Sequence, residues 1–177
     1  IGDANFNAIE VHQASLRLAN SEVIDNANGR STSTRDGRGT TTATTIYARG
    51  SQPTILNNVF EGNAGSVIDL NANSLSFEIQ RDPGRSIGRI AAFDRFADNH
   101  GPLVRLNRID DNAINGMVVR GEELTTESIW DDTDIVHVLR GEIIVDNHHT
   151  FSGLRLQSSN AESLVVKMDT GAGITAT

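Results

Sequence analysis

The chain has 177 residues, enough for one substantial core, with 37% hydrophobic and only 5% aromatic residues and a formal net charge of -8. The acidic balance argues against a general nucleic-acid or anionic-membrane surface, and the absence of cysteine excludes a disulfide framework and thiolate metal ligation. No apolar run reaches the ~18 residues of a membrane-spanning helix, and no secretory signal peptide is evident.

Taken in order, residues 1–28 read as a first partial turn of a repeat: Ile9 and Val11 alternate with polar neighbours, and Leu16 and Leu18 begin a frame that recurs. In that frame an asparagine is preceded at three residues by an apolar side chain, at five by a small polar one and at eight by another apolar one. It fits Leu18, Ser21, Val23 and Asn26, then Ile55, Asn58, Phe60 and Asn63, then Val104, Asn107, Ile109 and Asn112. A fourth fit is Leu139, Glu142, Ile144 and Asn147, with glutamate as the weak member. Short alternating strands follow the asparagines: Ile46/Ala48, Ile68/Leu70, Met117/Val119 and Leu154/Leu156.

Between these copies lie segments that break the period. Residues 29–45 are hydroxyl-rich and basic and read as a solvated excursion. Leu75, Phe77 and Ile79 alternate as a further wall strand, stopped by Asp82-Pro83. Residues 85–101 space Ile90, Phe93 and Phe96 or Ala97 three to four apart, which predicts an inserted helical turn. Trp130 stands beside Asp131, Asp132 and Asp134, oxygen donors suited to calcium, although the glycine of a calcium-binding loop of the EF-hand type is missing. No resident cofactor is otherwise expected. The adjacent His148 and His149 would point to opposite faces of a strand, which makes joint metal ligation awkward.

A corner at an asparagine followed by an inward-outward-inward strand is what a β-solenoid needs. Asn tolerates left-handed backbone angles and bonds neighbouring amides, and stacked copies make a continuous core that one copy cannot. Asn107, Ile109, Asn112, Gly116, Met117 and Val119 follow a spacing that resembles the right-handed parallel β-helix repeats of the pectate-lyase-like superfamily. The resemblance implies an all-β fold, a right-handed parallel β-helix with a short inserted helix, in one domain spanning residues 1–177 or in a segment of a longer solenoid. Asn26, Asn63, Asn112 and Asn147 would form its structural ladder.

The same resemblance implies a search for pectin-active residues. Asp110-Asp111 and His100-Gly101 are present, but in reversed order and without the Arg-x-Lys element. Of the outward carboxylates a calcium-dependent lyase would need, only Asp69 is found. No catalytic residue is therefore assigned. Superposing the repeated strands puts Tyr47, Asp69, Val118 and Arg155 in one outward row and Arg49, Asn71, Arg120 and Gln157 in the next. In the resembling enzymes this face takes polysaccharide, and arginine pairs bidentately with carboxylates. The expectation is a structural or adhesive β-helical module of a large secreted or cell-surface bacterial protein, filament-forming or self-associating through its ends or joined to neighbouring domains. It would contact polysaccharide at most, with no nucleic acid or membrane insertion. The alternative is a fragment of a lyase or hydrolase acting on an acidic polysaccharide.

Overall fold

The computed structural model describes residues 1–27, 42–84, 96–146 and 153–177. Its strands are β1 (Ile9–His12), β2 (Arg17–Ala19), β3 (Glu22–Ile24), β4 (Thr44–Arg49), β5 (Thr54–Leu56), β6 (Val59–Glu61), β7 (Ser66–Asn71), β8 (Leu103–Arg105) and β9 (Arg108–Asp110). They continue with β10 (Ile114–Arg120), β11 (Glu127–Trp130), β12 (His137–Arg140), β13 (Glu142–Val145), β14 (Gly153–Leu156), β15 (Val166–Met168) and β16 (Gly173–Ala176). The chain is all-β, and the strands within every sheet pair parallel. The largest sheet runs β1-β4-β7-β10-β12-β15; smaller ones are β2-β5-β8, β3-β6-β9, β11-β14 and β13-β16.

Register explains why the apolar residues recur as they do. Leu18, Ile55 and Val104 lie side by side across the second sheet, and Val23, Phe60 and Ile109 across the third. In the largest sheet Ile46, Ile68, Met117 and His137 form one lateral row and Ala48, Leu70, Val119 and Leu139 another. These residues share one apolar cluster, apart from His137, which is buried, and Ile109, which packs against its edge. Each fully buried Ile, Leu or Phe contributes about 1.5–3 kcal/mol relative to exposure.

Asn26, Asn63 and Asn112 stack at the corner before the largest sheet. The N–H of Asn26 donates to Asn63 Oδ1 at 2.9 Å and that of Asn63 to Asn112 Oδ1 at 3.1 Å, while the Nδ2 groups reach the same acceptors at 3.0 and 2.6 Å. Asn115 Oδ1 terminates the series by accepting from Asn112 N and Nδ2. A parallel series joins Ser21, Asn58 and Asn107, with Ser21 N donating to Asn58 Oδ1 at 3.1 Å and Asn58 N to Asn107 Oδ1 at 3.0 Å. The left-handed residue is the one preceding each ladder position: Asp25, Gly62 and Asp111 in one series, Asn20, Asn57 and Leu106 in the other. The ladder side chains themselves thus serve as bridges between laterally neighbouring corners of the chain.

Leu106 is the misfit among these left-handed residues, with φ 61°, a conformation costing an L-residue of this kind roughly 1–2 kcal/mol. It is partly exposed, and at the neighbouring equivalents Asn57 Nδ2 donates to Asn20 Oδ1 at 2.8 Å. Leu106→Asn is therefore expected to stabilise the protein by about 1 kcal/mol, read as a higher urea midpoint at unchanged slope. A lowered midpoint would contradict this account of the corner.

The structure departs from the sequence reading in three places. Phe77 and Ile79 are exposed and do not form a wall strand. Their segment makes antiparallel bridges, Ser76 to Ser128 and Ile79 to His100, at the base of the insertion between β7 and β8. Arg17 anchors that insertion by a two-pronged contact to Asp82, with Nε to Oδ1 at 2.6 Å and Nη2 to Oδ2 at 3.0 Å. Of the expected helical turn over residues 85–101, residues 85–95 lie outside the described residues. Phe96 is in a 3-10 conformation and Ala97–Asp98 form a turn; the one complete helical element among the described residues is the 3-10 turn Ala72–Ser74.

The third departure concerns the fourth copy of the frame. Leu139 sits in the largest sheet beside Val119, and Ile144 pairs with Thr175 in β13-β16. Asn147 lies outside the described residues, as do residues 29–41 of the polar excursion and His148-His149. Past β11 the corner is turned by aspartates instead of an asparagine. Asp132 Oδ1 accepts from Val104 N at 3.1 Å, and Asp134 Oδ2 from Leu106 N at 2.7 Å.

Candidate functional site

Strand alternation sends Tyr47, Asp69 and Val118 to the side of the largest sheet opposite the apolar cluster, and register makes them lateral neighbours. Arg120, two residues beyond Val118, folds back over this row. Its Nη1 donates to Asp69 Oδ1, its Nη2 to the carbonyl of Ala48 at 2.9 Å, and its guanidinium lies 4.2 Å from the Tyr47 ring centre. Asp69 is only 2% exposed. Burial pushes its carboxyl above the ordinary value, against the pull of Arg120 and Arg140.

The row therefore fastens three strands together and satisfies itself. Tyr47 and Val118 are buried as well, so this stretch is not an open groove. Asn71 is similarly engaged: its Nδ2 donates to Glu122 Oε1 at 2.7 Å, and its Oδ1 accepts from Gly50 N at 2.9 Å and from Ser74 Oγ at 2.8 Å. Arg49 is exposed at the end of β4.

Arg155 and Gln157 do not belong to this face. β14 pairs with β11, placing Arg155 opposite Ile129, with its Nη2 donating to Glu127 Oε1 at 3.0 Å. The rows are continued instead by Val138 and Lys167 beside Val118, and by Arg140 beside Arg120. A signal for this is present in the sequence: Ile46-Tyr-Ala-Arg49-Gly50, Met117-Val-Val-Arg120-Gly121 and His137-Val-Leu-Arg140-Gly141 share an arginine-glycine strand end.

The aspartates considered for calcium have other partners. Asp131 faces His100, whose N–H lies 3.0 Å and ring Nδ1 2.9 Å from Asp131 Oδ2. Asp132 and Asp134 hold the main chain of β8 and the residue after it, and Arg105 Nη1 lies 3.4 Å from Asp134 Oδ1. Among the described residues no three His, Asp or Glu side chains converge as a metal site would require. Asp110 and Asp111 sit at an exposed corner, where Asp110 Oδ1 accepts from Asp111 N at 3.0 Å.

Sequence reasoning also missed the juxtaposition of His100 and Asp131, 31 positions apart and joined by the base of the insertion. Gln157 lies near them, lining the same hollow. Compared with known proteins, the chain matches no family model, no curated protein and no solved structure.

Proposed function

We propose that the five sheets are walls of one right-handed parallel β-helix, and that the chain serves as a rigid structural or adhesive module of a large secreted or cell-surface bacterial protein. The observation that carries this reading is the parallel six-stranded sheet, whose lateral register shifts at one place, between Ile114 and Met117 of β10, and which is tied at its corners by the two side-chain series. Such an arrangement makes stability a property of stacked neighbours and suits a spacer or filament better than a moving catalytic domain. The arginine-carboxylate contact on the outward face supports it too, because that contact locks strands together.

The same reading accounts for how the module meets its neighbours. Among the described residues β14, β15 and β16 each pair along one side only, and Leu156, Val165 and Met168 are exposed beside those edges. Open parallel edges with apolar flanks invite pairing with another copy or an adjoining domain. Light scattering is expected to report an apparent mass that rises with concentration. Met168→Lys, at a residue 56% exposed and so tolerant of charge, is expected to reduce that rise. A strict monomer at millimolar concentration would overturn self-association through these edges.

A further inference from the structure

We propose that the cleft between the base of the insertion and residues 157–162 binds an uncharged, hydroxyl-rich ligand, a neutral saccharide unit. This site is separate from the strand face and does not depend on the closed-helix reading. It consists of two adjoining hollows of about 340 and 420 Å³ that share Phe96, Asp98, Arg105 and Ser159 in their walls, sizes within the usual ~300–1,000 Å³ of small-molecule sites.

Two buried polar atoms of its wall residues make no hydrogen bond. Asn99 is 3% exposed; its Nδ2 is spent on the carbonyls of His100 at 3.0 Å and Pro102 at 2.8 Å, while its Oδ1 accepts nothing. Arg105 donates through Nη1 to Thr133 Oγ1 at 2.7 Å and through Nη2 to the Asp131 carbonyl at 2.6 Å, while its Nε makes no hydrogen bond and lies 3.9 Å from Asp132 Oδ1 in an ion pair. An unmet buried polar group costs about 1–3 kcal/mol, a cost that a ligand hydroxyl can relieve because it both donates and accepts. His100, with Nδ1 directed to Asp131, has its Nε2 left for a further bond, whereas the Ser159 hydroxyl in the same wall is already taken by the main chain of Ala161 and Glu162. Phe96 supplies a flat apolar wall, with the Arg105 guanidinium 5.7 Å from its ring centre.

Charge selects the class. Among the described residues, Asp98 and Asp131 line one hollow and Asp134 and Glu162 the other, against Arg105 as the one arginine or lysine. That excess of carboxylate disfavours uronates and phosphates. Cations fare no better, since Asp131, Asp134 and Glu162 are engaged by His100, Leu106 N and Thr133 Oγ1 respectively. What remains is hydrogen-bonding capacity of both signs beside an aromatic ring, which suits a neutral sugar.

The test is an NMR titration following the ring signals of His100 and the side-chain amide of Asn99. The probes are neutral di- and trisaccharides of glucose, galactose, mannose and N-acetylglucosamine, with trigalacturonate as the charged comparison. At least one neutral sugar is expected to shift both signals saturably, with trigalacturonate at least tenfold weaker. His100→Ala, and independently Asp98→Ala at an exposed position that leaves folding intact, are expected to weaken that binding tenfold or more at an unchanged melting point. Silence across the neutral panel, preference for trigalacturonate, or binding unaltered in the folded Asp98→Ala protein would each overturn the proposal.

Discussion

Asn63→Ala is expected to destabilise the protein by about 3–4 kcal/mol, with a fall in melting midpoint of roughly 10 °C. Asn63 occupies the middle of its ladder at 1% exposure. Its Oδ1 accepts from both Asn26 N and Asn26 Nδ2, and its Nδ2 donates to the carbonyl of Val23 at 3.0 Å as well as to Asn112 Oδ1. Alanine removes all four contacts and leaves the buried N–H of Asn26 without its acceptor. The exposed cap of the same ladder sets the scale. Asn115→Ala removes two contacts where water can replace them, and should cost only about 1 kcal/mol. Chemical denaturation of the two variants side by side checks the argument, and equal losses would mean that burial of the ladder adds nothing.

The repeat was legible where one residue type had to recur for one physical reason. Leu18, Ile55 and Val104 had to be apolar to share a core, and Asn26, Asn63 and Asn112 had to bridge main-chain amides of laterally neighbouring corners, so both periods stand out. The frame failed when a different residue performed the bridging. Asp132 and Asp134 accept from the main chain of Val104 and Leu106 as the asparagines do elsewhere, and a search anchored on asparagine passed over them. With that corner unmarked, a fourth copy begun at Leu139 starts inside the largest sheet, and the face assigned to Arg155 and Gln157 is the one that Val138 and Arg140 occupy. The alternation of Phe77 and Ile79 misled for another reason: period two is also the period of the base of an antiparallel insertion, which need not bury either side. Apposition of His100 with Asp131 depends on how that insertion closes, which no local pattern encodes.

His137 lies in the lateral row of Ile46, Ile68 and Met117, a core-facing position where the other strands of the row place an apolar residue. It is fully buried and stacks on Trp130 with ring centres 5.4 Å apart and planes at 11°, and neither ring nitrogen has a hydrogen-bond partner. Burial lowers its pKa from 6.5 to about 4; a contribution from the Ile135 main chain opposes the shift, and Arg105 adds to it. The unfolded chain therefore takes up this proton first as pH falls. The neutral ring's contribution is intact above pH ~6.5, declines by up to about 1.4 kcal/mol per pH unit through the window from 6.5 to 4, and is gone below it, a total of about 3 kcal/mol. Asp69 and Asp132 act in the opposite sense, because burial raises their pKa values and acidification relieves the cost of their charge. A comparison that retains both aspartates isolates the histidine. His137→Leu keeps similar volume and removes two unsatisfied nitrogens, so it is expected to be about 1 kcal/mol more stable at pH 7.5. Its advantage should grow to about 4 kcal/mol at pH 4, most of it gained below pH 6. Urea denaturation of both proteins at half-unit pH intervals measures the difference directly, and a gap that stays constant across the series would show that His137 does not titrate between its unfolded and buried values.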